Sequence, residues 1–112
     1  MSPRAVWIVH LWLAGDDVAA FERFERSASA LLARHGGRID RALRSQPPSL
    51  SADVSADVPF EVHVVSFPDE ASFERYRADP DTLALAAIRQ QVIARTDLRR
   101  VVEVGPYDGE PT

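Results

Sequence analysis

Two largely apolar stretches of the chain read as strands. Ala5–Leu13, AVWIVHLWL, is rich in β-branched and aromatic residues and predicts a first strand. Phe60–Phe67, FEVHVVSF, predicts a third in the same way. Between them the period lengthens to that of a helix. Phe21, Phe24, Ala28, Leu31 and Leu32 lie on one apolar face, which predicts a helix from an Asp17 N-cap to about His35. Gly36-Gly37 ends it. Arg38–Arg44 predicts a weaker second strand, with Ile39 and Leu43 on one face. A second helix follows the Pro68-Asp69 turn. It breaks at Asp79-Pro80, where Asp79 can cap a restart with Pro80 in first position, and continues through Leu85, Ile88 and Val92 to Thr96-Asp97. Leu98–Val104 predicts the fourth strand.

The resulting order, β-α-β-β-α-β, is matched by an internal repeat. Asp17–Phe24 is DVAAFERF and Asp69–Tyr76 is DEASFERY; Asp17/Asp69, Ala19/Ala71, Phe21/Phe73, Glu22/Glu74 and Arg23/Arg75 are identical. Each copy follows an apolar run with a histidine near its middle, His10 or His63. Two such halves related by a pseudo-twofold make an α+β unit, a four-stranded antiparallel sheet with both helices on one face.

Side chains alternate across a strand. In the first, Trp7, Val9, Leu11 and Leu13 oppose Ile8, His10 and Trp12; in the third, Val62, Val64 and Ser66 oppose Glu61, His63, Val65 and Phe67. The helices need an apolar partner, so the sets without histidine are assigned to the helix side, with Ile39, Leu43, Val102 and Val104. The other face then carries Ile8, His10, Trp12, Arg38, Asp40, Glu61, His63, Val65, Phe67 and Glu103. Leaving Ile8, Trp12, Val65 and Phe67 in water forgoes roughly 1.5–3 kcal/mol each. A second sheet, from an identical chain around a twofold, is therefore expected to cover this face and enclose a cavity.

His10 and His63 are the candidate catalytic residues, as general acid and base. They lie six residues before Asp16 and Asp69. On adjacent parallel strands their rings would be about 5 Å apart. The alternative is a pair of polar residues satisfied at a dimer interface. The helical repeat aligns Asp17, not Asp16, with Asp69, and a one-residue slip would turn one ring to the other face. Trp12, Glu61, Phe67, Arg38 and Asp40 are the candidate ligand-binding residues, although Trp12 can equally fill a dimer core and Arg38–Asp40 can be a plain ion pair. The histidines with Glu61 or Glu103 would make a two-histidine, one-carboxylate metal set. No HxH or HxxE spacing supports it, and no metal is expected. His35 suits a helix C-terminus.

Composition narrows the classes. The 112 residues suit one domain spanning 1–112, with a mobile Pro/Ser-rich connection at 45–59, which carries the tandem SADV of Ser51–Val54 and Ser55–Val58, and a tail at 106–112. A net charge of −4 leaves no basic excess for nucleic acid, and no apolar run is long enough for a membrane span. With no cysteine, disulfides, thiolate metal sites and cysteine nucleophiles are excluded; with no lysine among the 13 basic residues, so is Schiff-base chemistry. Arg4 and the apolar run after it have the outline of a signal peptide. His10 interrupts that run, no small-x-small site follows, and cleavage would remove the first strand; a cytoplasmic location is expected. No phosphate loop, dinucleotide fingerprint, nucleophile motif or haem-attachment motif is present, and no cofactor is expected.

The segment HVVSFPDEASFERYRADP resembles the strand–helix core of the dimeric α+β barrel superfamily, in which a strand ending in Phe and a Pro/Ser turn lead to a helix and an Asp-Pro. Antibiotic-biosynthesis-monooxygenase-like proteins belong there, and the chain looks nearest to the uncharacterised members. The resemblance implies a ferredoxin-like subunit and a homodimer through the sheet face opposite the helices. It also implies an activity drawn from a wide range that includes cofactor-free oxygenases, haem-degrading enzymes and isomerases, so it does not select a reaction. The expectation is a cofactor-independent, monooxygenase-like enzyme acting on a small aromatic or apolar molecule in the barrel. The alternative is a non-catalytic dimeric binding or structural module.

Overall fold

A computed structural model describes residues 3–51 and 57–109. The elements are β1 (Ala5–Leu13), α1 (Val18–Arg34), β2 (Arg38–Arg44), β3 (Glu61–Phe67), α2 (Glu70–Ala78), α3 (Pro80–Ala84), α4 (Ala86–Val92) and β4 (Ile93–Val101). One sheet runs β2-β3-β1-β4, every neighbouring pair antiparallel. The expected order of elements holds, but β1 and β3 are antiparallel rather than parallel.

Both repeats begin on a capped helix. Asp17 accepts a hydrogen bond from the Ala20 amide at 2.9 Å, and Asp69 accepts from the Ser72 amide at 2.8 Å. The Gly36-Gly37 stop has two separate causes. Gly36 takes a left-handed φ of 76°, and a Cβ on Gly37 would meet the Phe67 ring at 2.6 Å. The second helix does break at Asp79-Pro80, and Asp79 caps the restart through the Asp81 amide. It then ends at Val92, before the expected Thr96-Asp97; those two residues lie inside β4, and Val102 and Val104 stand exposed beyond it.

The core lies between the helices and the Trp7–Leu11 face of β1. One cluster joins Leu11, Leu13, Phe21, Phe24, Ala28, Phe60 and Ile93; a second joins Trp7, Leu32, Val65, Phe67 and Phe73. The register sets Trp7 opposite Val65, Val9 opposite His63 and Leu11 opposite Glu61. The β3 face assignment is therefore reversed: Glu61, His63, Val65 and Phe67 face the helices, while Val62 and Val64 join Ile8 and His10 outside. Leu43, opposite Val62, is also outside and half exposed. The reversal has a physical reason. Val65 and Phe67 supply the bulk that Trp7 packs on, and the Glu61–His63 pair becomes buriable because its members satisfy each other. A break in the β1–β4 register between Trp12 and Leu13 lets both consecutive residues be buried.

The ends of the 45–59 connection are tied. The Ser45 amide donates to the Phe60 carbonyl at 3.1 Å and the Ser45 hydroxyl to the Pro59 carbonyl. Most of the tandem SADV, residues 52–56, lies outside the described residues. Among the described residues no helix is long and apolar enough to cross a membrane.

Candidate functional site

A cavity of about 250 Å³ separates the inner face of the sheet from the helices. Its walls are mostly apolar and aromatic: Trp7, Phe24, Leu32, Val65, Phe67 and Phe73 all contribute. Trp7 stacks on Phe73 with centroids 4.2 Å apart, and Phe67 meets Trp7 edge-on at 5.8 Å.

The polar end is organised around His63, which is 4% exposed. Its Nε2 lies 2.7 Å from Glu61 Oε1, and Glu61 Oε2 accepts from Arg44 Nε at 2.8 Å. Arg44 reaches on to Glu22 at 3.3 Å and lies over the Phe60 ring. Burial pushes the Glu61 carboxyl up, but the hydrogen bonds from His63 and Arg44 outweigh it and hold the group below the usual carboxylate range. Glu61 is therefore ionised at neutral pH, and the short contact places the imidazole proton on Nε2. The other ring nitrogen, Nδ1, lies 3.9 Å from Glu25 Oε2. Burial pushes the Glu25 carboxyl up, against the opposing pull of His63. Tyr76 also lines the cavity, its hydroxyl pushed up by burial and then by Glu25. Such a set can hold an aromatic body in the dry end and exchange a proton with it at the polar end.

The expected site residues are divided between two places. His63 and Phe67 line the cavity, and Glu61 holds His63 from behind. His10 is on the opposite face of the sheet, directly across from Val62 and Asp97, and so is Trp12, its ring 6.3 Å from that of His10. The two histidines thus share no cavity, and the two-histidine metal set cannot assemble. Trp12 is 4% exposed, and Arg95 covers its ring at 4.1 Å. Arg38 and Asp40 form an exposed pair at 3.5 Å on β2, away from the cavity. Glu25, Thr82, Arg89 and Thr96, which the periodicity and motifs do not single out as site residues, also line the cavity. Glu25 had a signal: it sits on the stripe of Phe21, Ala28 and Leu32, a carboxylate where an apolar residue is due.

No protein-family model matches the chain, and no curated protein matches it. Solved structures do match. A Rhodopseudomonas palustris protein of unknown function aligns with a TM-score of 0.74 at 15% identity, over 95% of this chain and 86% of its own. A DABB-family protein from Mesorhizobium loti, with a ferredoxin-like fold, aligns at 0.65 and 19% identity, over 93% and 100%. SnoaB, a cofactor-independent oxygenase from Streptomyces nogalater, aligns at 0.66 and 19% identity, over 95% and 100%. The fold is ferredoxin-like. At these identities a shared ferredoxin-like fold does not carry a shared reaction.

Proposed function

We propose that the cavity binds a small hydroxylated aromatic molecule, or the keto form of one, and that His63 takes its proton to begin an oxygenation by molecular oxygen. The carrying observation is a buried histidine, hydrogen-bonded through Nε2 to the Glu61 carboxylate, that lines a largely apolar cavity. The likeness to a cofactor-independent oxygenase supports the choice of reaction. Removing the proton makes the ring electron-rich, and the substrate is then its own reductant. A ring CH2 becomes C=O with one atom of O2; the other atom leaves as water with the two hydrogens.

Anthrone, a ring ketone with a hydroxyaromatic enol, tests this. One O2 should be consumed per anthrone converted to anthraquinone. His63→Ala should slow the reaction about 100-fold or more. Oxygen uptake that is indifferent to His63→Ala overturns the proposal. Binding without uptake makes the protein a binding module instead.

The chain is further proposed to pair with a second copy through the outer sheet face. Val6, Ile8, Val62 and Val64 are only half-buried there, and Leu43 is 49% exposed. These residues form an apolar strip of the kind that twofold partners cover. A strict monomer by light scattering at micromolar concentration overturns this part.

A further inference from the structure

Two polar side chains of the cavity wall, Arg89 and Thr82, keep hydrogen-bonding capacity that no described residue uses. Arg89, half-buried on α4, donates from Nη2 to the Thr96 hydroxyl at 2.6 Å, and among the described residues it pairs with no carboxylate. A guanidinium has five N–H donors. Among the described residues the remaining donors of Arg89 meet no protein acceptor, although Glu25 and Tyr76 share the cavity wall with it. Thr82, on α3, also lines the cavity, and its buried hydroxyl has no hydrogen-bond partner among the described residues. Buried polar groups are nearly always satisfied, so an orphan aimed into a cavity signals a group that arrives with a ligand. Glu25 forms no hydrogen bond or close ion pair with Arg89, which acts on its carboxyl only through space, against the larger upward push of burial. Nor does His63 hydrogen-bond to it: Nε2 is taken by Glu61, and the hydrogen bond Arg89 makes among the described residues goes to Thr96.

We infer that Arg89, assisted by Thr82, is an oxyanion subsite, and that the natural ligand is an aromatic acid: a flat ring in the Trp7–Phe73 end with a carboxylate on the guanidinium. The planar fork of arginine suits a carboxylate in two-point contact, and the dry surroundings strengthen the pair. This deepens the reading of the cavity given above and rests on it for the position of the ring. The division of labour is definite. His63 handles the reacting proton, whereas Arg89 selects and orients, and so acts on affinity.

The test compares 2-naphthoate with its neutral amide, 2-naphthamide, by calorimetric titration at pH 7.5 on the whole protein. The acid should bind about tenfold more tightly or better, a difference of about 1.4 kcal/mol. Arg89→Gln keeps hydrogen-bonding capacity without charge. It should erase the preference to within twofold while leaving the amide's affinity within threefold. Because the readout is a ratio, a variant that merely loosens α4 lowers both affinities together, and that result overturns the subsite. So does an acid no better than the amide in the unaltered protein, or a preference that survives Arg89→Gln. If the amide binds equally well and anthrone oxidation still depends on His63, the oxyanion subsite falls and the oxygenase reading stands. If neither compound binds and anthrone is not oxidised, both fall.

Discussion

The two β-α-β halves share a frame and differ from the point where it ends. In both, an Asp caps the helix three residues before the amide it accepts, and the first repeated phenylalanine is buried, Phe21 to 1% and Phe73 to 7% exposure. At the last repeated position Phe24 gives way to Tyr76. One residue later the first half has Glu25, turned into the cavity, and the second has Arg77, whose guanidinium lies outside over the Phe73 ring at 5.4 Å. The first helix then runs unbroken for 17 residues, whereas α2 stops after 9. The break at Asp79-Pro80 lets α3 and α4 bring Thr82 and Arg89 to the cavity. Repetition made the frame; departures from it supply most of the polar groups inside.

The largest effects are expected in the frame that the two halves share. Phe21→Ala and Phe73→Ala should each cost about 3–5 kcal/mol, with Phe21 the costlier because it is better buried. Urea denaturation measures both. A Phe73 variant as stable as the parent would show that the second copy does not bear the core. At the next level, Glu25→Gln should slow anthrone-dependent oxygen uptake on the order of tenfold, because it removes the group that can exchange protons beside His63. Arg77→Ala, the same position in the other half, should leave the rate within twofold. Equal effects at the two positions would dissolve the claimed division between frame and contents.

The smallest effect concerns the tie between the halves. Asp79, at the end of the second half's helix, accepts from His35 at 2.8 Å and Arg34 at 3.0 Å, both at the end of the first. The hydrogen bond from His35, then that from the Asp81 amide, lowers its carboxyl to about 2, with Arg34 assisting against partial desolvation. Folding therefore favours the carboxylate. Its contribution is complete above the ordinary aspartate value and is lost as pH falls through the folded one. The Tm advantage of the parent over Asp79→Asn should shrink between about pH 4 and about pH 2. An advantage that grows over that interval would mean the tie is not ionic.

Much of the fold was legible because it rests on periodicity. Ala5–Leu13 and Arg38–Arg44 were read with their observed bounds, and the Asp79-Pro80 break follows from proline geometry alone. The site was less legible. Assigning His63 to the outer face treated ionisable groups as necessarily kept from the core, and it overlooked that Glu61 and Arg44 could satisfy it there. Equal spacing of His10 and His63 before their turns suggested equivalence, but antiparallel pairing places His10 opposite Val62 and sends the two rings to opposite faces. Thr82, Arg89 and Thr96 carry no local signal. They meet only because the chain turns at Pro80 and β4 starts at Ile93, earlier than the polar run Arg95–Asp97 suggests.

The strand order also has a consequence in time. β1 is the first strand to be synthesised and sits between β3 and β4, the last two; β2 is separated from it by β3. A nascent chain ending after β2 holds no two strands that pair in the finished sheet. Trp7 and Leu11 lack their β4 neighbours until Thr96–Arg100 emerge. Closing so long a loop is costly and slow, which makes assembly a late, concerted event rather than a stepwise one. During that interval the growing chain presents its stickiest strand, AVWIVHLWL, to any other chain nearby.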